Sequence, residues 1–247
     1  MSDELEILKK RISELGRRSY SRSQYVASDF LTLAEQSEVQ ALRLDAPYTL
    51  CGGYDSAERR LAFFGSEDLC GYEAEPPIVC VGIFPVSQKF ADDLSHRDFL
   101  GSLMGLGIKR ETLGDIIISD NCGYLFCLDT IAEYIIQNLI QVRRTTVHCE
   151  ITEPPEKCAA LPEQTGVNVA SERLDALVAA VFKLSRGDSQ ELFSKERVFA
   201  NGKLITNASY SPHDGDIISV RSLGRFRYDG VDRETKRGRL RVLVRIF

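Results

Sequence analysis

The chain has 247 residues, of which 43% are hydrophobic and 27% are charged, and its formal net charge is −5. This length allows two or three small domains, and the composition is ordinary for a globular protein. No apolar run approaches the roughly 18–20 residues that span a bilayer. Residues 1–18 contain acidic side chains and no continuous apolar segment, unlike a secretory signal peptide. We therefore expect a cytoplasmic protein without a membrane partner.

The charge is distributed unevenly along the chain. Residues 162–247 hold 15 basic and 11 acidic side chains, whereas residues 1–161 hold 16 basic and 25 acidic ones. The last stretch, 221–247, alone has nine basic and three acidic residues. A basic end on an acidic body indicates that one face meets a polyanion such as nucleic acid. Ordinary solvated surface charge would give the same asymmetry, so charge alone leaves both interpretations open.

The cysteines and histidines do not form a metal-binding pattern. The seven cysteines, of which the last is Cys158, include no C-x-x-C pair, and the histidines are scattered at His96, His148 and His213. A zinc site needs closely spaced thiolates or imidazoles. Four of the cysteines lie in apolar runs, where cysteine behaves as a small buried hydrophobe. We predict structural cysteines, no metal and no cofactor.

Residues 1–75 predict a module of helices and strands. Leucines and an isoleucine recur at helical spacing between residues 5 and 15, and Gly16 is expected to end that helix. The basic segment 17–22 then reads as a loop. Residues 30–44 again have helical character, with Ser28 or Asp29 as the N-cap. The segment 65–77, which contains glycine, glutamate and proline, predicts a domain boundary.

Residues 76–155 predict a ferredoxin-like domain, the topology that RNA recognition motifs also use. Strands are expected at 78–84, 115–118, 124–128 and 145–151, and helices at 90–106 and after Asp129 or Thr130. The resulting order is β-α-β-β-α-β. Tyr124 and Phe126 could stack on bases as in an RNA recognition motif, but their common face favours a role in the core. This topology hosts many functions and decides none.

Residues 167–247 follow a polar linker at 156–166 and predict two helices and a small β-sheet. Leu174 begins an apolar helical stripe after a possible N-cap at Ser171. Ser185 and Asp188 have the spacing of a capping box for the second helix. Asn201-Gly202 indicates a hairpin, and Asp214-Gly215-Asp216 a turn before the strand 217–221. The fold class of the whole chain is therefore α+β.

Basic side chains accompany this helix pair. The predicted helix–turn–helix places Arg173, Lys183 and Arg186 near one edge, with Lys203 close by. Guanidinium groups bind phosphate through two hydrogen bonds, and lysine adds a point charge. Helix amino termini supply further N–H donors to anions. Cations on an unrelated helix hairpin would simply be solvated, so this pattern needs a second argument.

The order of the motifs supplies that argument, because it resembles the S4 RNA-binding domain over some 60 residues. The matching segments are Arg173-Leu174-Asp175, Lys183-x-Ser185-Arg186, Val198-x-x-Asn201-Gly202-Lys203, Asp214-Gly215-Asp216-x-Ile218 and Gly224-Arg225-Phe226. The resemblance implies binding of structured ribosomal or transfer RNA through the following residues: Arg173, Lys183, Ser185, Arg186, Lys203 and Arg225. The chain departs from the S4 pattern at Gly187, Ser189 and Glu196, which affects the expected local loop shape.

The rest of the chain resembles the YlmH family. The matching segments are Gly52-Gly53-Tyr54, Ala57-Glu58-Arg59, Ser95 to Gly101, Gly105 to Arg110 and Gly114-Asp115-Ile116. The resemblance implies a non-enzymatic bacterial RNA-binding protein that associates with the large ribosomal subunit and clears stalled peptidyl-tRNA complexes. It also implies RNA contacts by Arg97, Lys109 and Arg110. An alternative is that His96 and Asp98 cap the middle-domain helix and that these motifs serve packing.

Two other functions remain open. S4 domains also accompany rRNA-modifying enzymes, and pseudouridine synthases use an aspartate in an Arg-Leu-Asp sequence such as Arg173-Leu174-Asp175. Here that sequence lies in the S4 helix without a preceding glycine, and too few residues follow it for a catalytic domain of usual size. We predict no catalytic residues. The second alternative is a protein-interaction role linked to cell division, a looser theme of the family.

Overall fold

A computed structural model describes residues 2–155, 160–235 and 238–247 and divides the chain into two compact units, 1–160 and 161–247. Both units mix helices with antiparallel sheets, so the α+β class is confirmed. The domain boundary at residues 75 and 76 and the linker bounds 156–166 remain predictions. Cys158 lies outside the described residues. No helix in the described ranges is long and apolar enough to cross a membrane.

The first part of unit 1 is a three-stranded sheet covered by helices. Its elements are α1 Ser2–Arg22, β1 Val26–Leu31, α2 Leu33–Gln40, β2 Tyr48–Cys51, β3 Arg60–Phe64 and the short α3 Glu67–Cys70. The sheet has the order β1-β3-β2, and both of its pairings are antiparallel. Its core contains Ile12, Leu31, Val39 and Phe64, which are almost completely buried.

Two predictions for this part were wrong. The first helix does not end at Gly16 but continues through the predicted loop to Arg22. The missing side chain of Gly16 lets the Phe64 ring approach the helix, and Ser19 is fully buried. The cap of the second helix is Thr32, which forms a capping box with Glu35, because residues 26–31 pair as a strand instead.

The second part of unit 1 has the predicted order of strands and helices. It contains β4 Ile78–Pro85, α4 His96–Gly105, β5 Leu113–Ser119, β6 Cys122–Leu128, α5 Asp129–Asn138, β7 Gln141–Val142 and β8 Thr145–Ile151, with 3-10 turns at Gln88–Phe90 and Arg110–Thr112. The sheet order β5-β6-β4-β8 is that of a split β-α-β arrangement, and β7 extends it. Helix α4 was predicted to begin at residue 90 but begins at His96. Its N-cap is Ser95, whose hydroxyl donates to the Asp98 carboxylate over 2.6 Å.

The two parts of unit 1 pack through the sheet face that lies opposite α4 and α5. Phe126 is 2% exposed and its ring stacks on Tyr54 with centroids 4.8 Å apart, so the prediction that Phe126 belongs to the core is confirmed. Phe30, Leu61 and Phe63 form a further buried cluster beside Ile78. This end of the sheet is therefore covered by the first part of the unit.

Gly53 is required for that approach. Its φ is +90°, and a Cβ at this position would overlap the Phe126 ring. We expect Gly53→Ala to destabilise the protein by about 2 kcal/mol, from backbone strain and displacement of the ring. Urea unfolding measures the change, with Gly101→Ala in α4 as the control. Gly101 has open space around it, so that change should be neutral or stabilising. Equal behaviour of the two variants would contradict the argument.

Unit 2 consists of a helix pair on one side of a six-stranded antiparallel sheet. Its elements are β9 Gln164–Val169, α6 Leu174–Val181, α7 Arg186–Ser194, β10 Val198–Ala200, β11 Lys203–Leu204, β12 Ile217–Val220, β13 Gly224–Glu234 and β14 Leu240–Ile246. The sheet order is β11-β10-β12-β13-β14-β9. The core lies between the helices and one face of the sheet and includes Leu177, Val178, Phe226 and Val244.

The sheet is larger than the sequence predicted. Residues 164–166, predicted as the end of the linker, belong to β9, which pairs with β14 near the carboxyl end of the chain. The long hairpin of β13 and β14 was also not predicted beyond Phe226. The alternation of Val242 and Val244 with Arg241 and Arg245 is the sequence pattern of a half-buried strand. The hairpin therefore carries most of the basic carboxy-terminal stretch on regular structure.

Candidate nucleic-acid interface

The turn between α6 and α7 places two cations on the surface. Lys183 adopts a left-handed conformation with φ of +55°, which reverses the chain after α6. Lys183 and Arg186 are both exposed, and within the described ranges neither forms an ion pair. The buried Ser189 hydroxyl donates to the Asp175 carbonyl over 2.7 Å and fixes the second helix against the first. The predicted juxtaposition of Lys183 and Arg186 at one edge is therefore present.

The Ser185 side chain caps the amino terminus of α7. It is the N-cap of α7, and its hydroxyl accepts from the Asp188 N–H over 3.1 Å and donates to the Asp188 carboxylate over 2.7 Å. The predicted N-cap is thus present, but in place of the backbone bond that completes a capping box, the Asp188 carboxylate accepts from the Ser185 hydroxyl. Ser185 thus positions the amino terminus of α7 beside Lys183 and Arg186, and its predicted role as an RNA contact is still a prediction.

Arg173 forms an ion pair with Asp175, which was not predicted from the sequence. Its Nε and Nη2 donate to the two oxygens of Asp175 over 3.0 and 2.8 Å. The Asp175 side chain is 3% exposed, whereas that of Arg173 is 39% exposed. The guanidinium is therefore fixed in direction, its charge is offset by the carboxylate, and its remaining N–H groups are available on the exposed side.

This pair has a consequence for stability in acid. Hydrogen bonds from the Arg173 side chain lower the pKa of Asp175 below its usual value, against the opposing effect of burial. Ionised Asp175 thus contributes stability above an unfolded-state pKa of about 3.9, and this contribution is lost as the pH falls through the lower folded-state pKa. We expect Asp175→Asn to flatten the fall in urea midpoint below about pH 4. If the urea midpoint of this variant falls below about pH 4 as steeply as that of the wild type, ionised Asp175 does not provide this stability.

Arg173 and Arg186 border the same cleft. The cleft has a volume of about 430 Å³ and lies between β9 and α6. Its apolar wall includes Ala176, Ala180 and Leu184. Arg239, at the start of the chain segment that leads into β14, lines the cleft as well. Arg239 belongs to the basic stretch 221–247 but was not among the predicted RNA contacts. We call Arg173, Lys183 and Arg186 the helix-pair edge.

The other two predicted S4 residues lie elsewhere on unit 2. Lys203 pairs across the hairpin with Ala200, whose side chain is in the core, so Lys203 is on the helix side of the sheet. Arg225 precedes the buried Phe226 and therefore projects from the opposite face, where its guanidinium lies 4.8 Å from the Phe247 ring centroid. The structure thus does not bring Arg225 to the helix-pair edge.

The predicted contacts in the middle domain separate into two exposed side chains and one internal one. Arg97 and Lys109 are exposed. The Nη1 of Arg110 donates to the carbonyls of Leu113 and Gly114 over 2.7 and 3.2 Å. Burial, together with the nearby Arg59 cation, lowers the pKa of Arg110 to about 10. Arg110 is thus engaged in holding backbone, while its assignment as an RNA contact remains a prediction.

A buried polar joint connects the two parts of unit 1. The Asp115 carboxylate accepts hydrogen bonds from the Tyr54 hydroxyl over 2.8 Å and from the backbone N–H groups of Glu58 and Arg59 over 2.6 and 3.1 Å. The Arg59 guanidinium donates to the carbonyls of Leu113 and Phe30. Burial raises the pKa of Asp115 and lowers that of Arg59. The motifs around Tyr54, Arg59 and Asp115 therefore form one contact.

An aromatic group at the uncovered end of the same sheet face joins Tyr124, a predicted stacking candidate, to Phe84 and His148, which were not predicted. The Phe84 ring lies 5.8 Å from Tyr124 and 5.4 Å from His148, centroid to centroid. Phe84 and His148 are register partners on β4 and β8, and Glu150 lies two residues further on the same face. The carboxylate of Glu150 makes this end less favourable for a polyanion than the helix-pair edge.

Comparisons with known proteins identify the family. Residues 81–156 match a family model described as the putative RNA-binding domain in YlmH. The ribosome-associated protein quality control protein P2 of Bacillus subtilis (strain 168) is 31% identical over 219 residues, which cover 87% of this chain and 84% of the relative. The chain belongs to the YlmH family. A solved structure described as cell division protein ylmH from Streptococcus pneumoniae aligns with a TM-score of 0.49 and 18% identity, covering 61% of this chain and 92% of that one.

In this YlmH-family chain, the matched RNA-binding region contains Arg97, Lys109 and Arg110, and it contains Asp115 of the polar joint but not the Tyr54 and Arg59 side. The helix-pair edge lies outside that match, in unit 2. The match therefore supports RNA binding by the chain and leaves the contact residues to be tested directly.

Four candidate reactive groups of this YlmH-family protein, Asp175 and three cysteines, are poorly placed for catalysis. Both oxygens of Asp175, the aspartate of the Arg-Leu-Asp sequence, accept hydrogen bonds from Arg173, and the side chain is buried. Burial raises the pKa of the Cys80 and Cys127 thiols to about 12 and that of Cys149 to about 11, which suppresses the nucleophilic thiolate. These groups favour an RNA-binding protein over an enzyme.

Proposed function

We propose that this protein is a non-enzymatic factor that binds ribosomal or transfer RNA and takes part in ribosome-associated quality control. The observation that carries the proposal is the helix-pair edge, where Lys183 and Arg186 are exposed beside a cleft that Arg173 also borders. The Bacillus subtilis relative is named a ribosome-associated quality control protein. We extend that role to this chain, with the large ribosomal subunit as the expected partner.

The proposal assigns the RNA contacts by domain. Residues 167–247 would act as the S4 domain and supply the principal phosphate contacts. Residues 76–155 would act as the second RNA-binding domain, with Arg97 and Lys109 as its exposed cations. Residues 1–75 would support the middle domain through the Asp115 joint.

Phosphate recognition predicts a strong dependence on salt. Each phosphate neutralised by a protein cation releases condensed counterions from the RNA. If about four phosphates are contacted, the logarithm of the affinity should fall with the logarithm of salt concentration with a slope of roughly −3 to −4. Between roughly 50 and 200 mM salt, this corresponds to a loss of affinity of about 100-fold.

Sedimentation through a sucrose gradient tests the proposal. Lysate that contains stalled ribosomal complexes is fractionated at low and at high salt, and the protein is located by immunoblot. We expect the protein in the large-subunit fractions at low salt and at the top of the gradient at high salt. A protein that stays at the top at low salt contradicts the ribosome proposal. Complexes that survive nuclease treatment unchanged would instead favour a protein-interaction role.

A further inference from the structure

The face of the unit 2 sheet that points away from α6 and α7 carries a set of arginines. On β13 and β14 the residues Phe226, Tyr228, Val242 and Val244 are buried against the helices. Side chains alternate along a strand, so the intervening residues project from the other face. We call this surface the open sheet face, and its cations are Arg221, Arg225, Arg227, Arg241 and Arg245.

Two of these arginines are stacked on aromatic rings. The guanidinium carbon of Arg221 lies 4.7 Å from the centroid of the Phe199 ring, and that of Arg225 lies 4.8 Å from the centroid of the Phe247 ring. Stacking fixes the guanidinium plane over the ring and leaves N–H groups along its edge for hydrogen bonds to an anion. Less side-chain entropy is then lost when an anion binds.

Two further arginines face each other across the strands. Arg227 and Arg245 are register partners, an arrangement that is unfavourable for like charges. The Asp229 carboxylate lies between them, 2.9 Å from the Nε of Arg227 and 2.7 Å from the Nε of Arg245, and its side chain is 7% exposed. One carboxylate therefore holds two guanidinium groups, and the trio keeps a net positive charge.

Charge and spacing favour one kind of ligand for this face. Arg241 lies 3.5 Å from Asp232, and Arg227 and Arg245 share Asp229, so these three arginines meet two carboxylates and keep an excess of positive charge. Residues two apart on a strand are about 6.7 Å from each other, which is comparable with the distance between neighbouring phosphates in a nucleic-acid strand. Guanidinium groups bind such phosphates through paired hydrogen bonds.

We propose that the open sheet face is a second RNA-binding surface that contacts the phosphodiester backbone, on the opposite side of the sheet from the helix-pair edge. Unit 2 then binds two RNA segments at once, one on each side. Linking the two contacts in one protein raises the overall affinity without any contact between the RNA segments. This proposal rests on the proposed RNA-binding function.

The test uses the full chain and two copies of one RNA stem-loop, labelled with a donor and an acceptor fluorophore. The face variant is Arg221→Glu with Arg225→Glu, the two cations that stack on Phe199 and Phe247. The edge variant is Lys183→Glu with Arg186→Glu. The control is Lys10→Glu with Arg18→Glu, two exposed residues of α1 whose reversal changes the net charge equally.

We expect the wild type and the control to bring the two RNAs together, and the face and edge variants to lose this energy transfer. The face variant should also bind a longer RNA that carries two such stem-loops at least 10-fold more weakly, with the salt slope reduced by about 2. If the face variant is less stable in urea, Arg221→Gln with Arg225→Gln replaces it. The neutral variant removes two cations and should give the same reduction in slope.

The possible outcomes separate this proposal from the proposed function. A face variant that matches the control in affinity, salt slope and energy transfer overturns the second surface while RNA binding stands. A wild type that binds no RNA overturns both. A face variant that loses a nuclease-resistant protein complex but keeps its RNA affinity also overturns the proposal, because the face would then serve a protein.

Discussion

Charge reversal at Lys183 and Arg186 is expected to lower the affinity for RNA about 100-fold at roughly 0.1 M salt. At that salt concentration each phosphate contact contributes nearly a factor of ten through counterion release, and two contacts are lost. Glutamate adds repulsion to that loss. Both side chains are exposed and neither forms an ion pair in the described ranges, so the fold should be unaffected.

Anisotropy titrations of a labelled ribosomal RNA fragment at several salt concentrations measure this change. The slope of log affinity against log salt should fall by about 2 in the variant. The reversal of Lys10 and Arg18 in α1 is the matched control and should keep the wild-type affinity and slope. An affinity within threefold of the wild type would remove Lys183 and Arg186 from the interface.

The Arg173→Ala variant is a weaker test of RNA contact than the charge reversal at Lys183 and Arg186. Removing the guanidinium leaves Asp175 buried without the two hydrogen bonds that it accepts from Arg173. An unpaired buried carboxylate is costly, so lost binding in that variant would combine lost contact with lost stability. Lys183 and Arg186 therefore provide the clearer test of the helix-pair edge.

Local patterns in the sequence predicted the helix-pair edge and the middle-domain order because both depend on residues close in the chain. The N-cap hydrogen bonds between Ser185 and Asp188 fix the start of α7 from residues three apart. Alternating apolar runs predicted β4, β5, β6 and β8 for the same reason. Their spatial order then follows from the few connections that such a sequence allows.

What the sequence did not predict depends on partners far along the chain. Strand β9 pairs with β14 more than 70 residues later, and a short polar-flanked strand has no local pattern that reveals such a partner. Helix α1 passes through Gly16 because Phe64 packs there, which overrides the low helix propensity of glycine.

The same limit applies to the site residues. Arg110 and Arg97 are equivalent cations in the sequence, yet Arg110 donates to backbone carbonyls and Arg97 is exposed. Arg225 was predicted as an RNA contact through its motif, and the alternation of β13 places it on the face opposite the buried Phe226, away from the helix-pair edge. Charge and motif select candidates, whereas strand register decides which of them act together.

Loss of the Asp115 carboxylate should be the most damaging single change in unit 1. In Asp115→Ala, the Tyr54 hydroxyl and the N–H groups of Glu58 and Arg59 lose their common acceptor. Unsatisfied donors in a partly buried site, added to the loss of hydrogen bonds to a charged group, should lower the free energy of unfolding by about 3–5 kcal/mol. Tyr54→Phe removes one donor only and should cost about 1 kcal/mol.

Asp115→Asn separates the acceptor role from the charge. The amide retains one oxygen but presents an NH2 group to donors, so stability should lie between that of the wild type and that of the alanine variant. Burial raises the pKa of Asp115, so the part of the stability that is linked to its protonation is fully present below the unfolded-state pKa and is lost as the pH rises through the folded-state pKa, while the acceptor role remains. That pH dependence, opposite in sign to that of Asp175, should vanish in Asp115→Asn. Urea midpoints between about pH 3 and 7 measure it, and an alanine variant as stable as the wild type would show that the joint does not hold the two parts together.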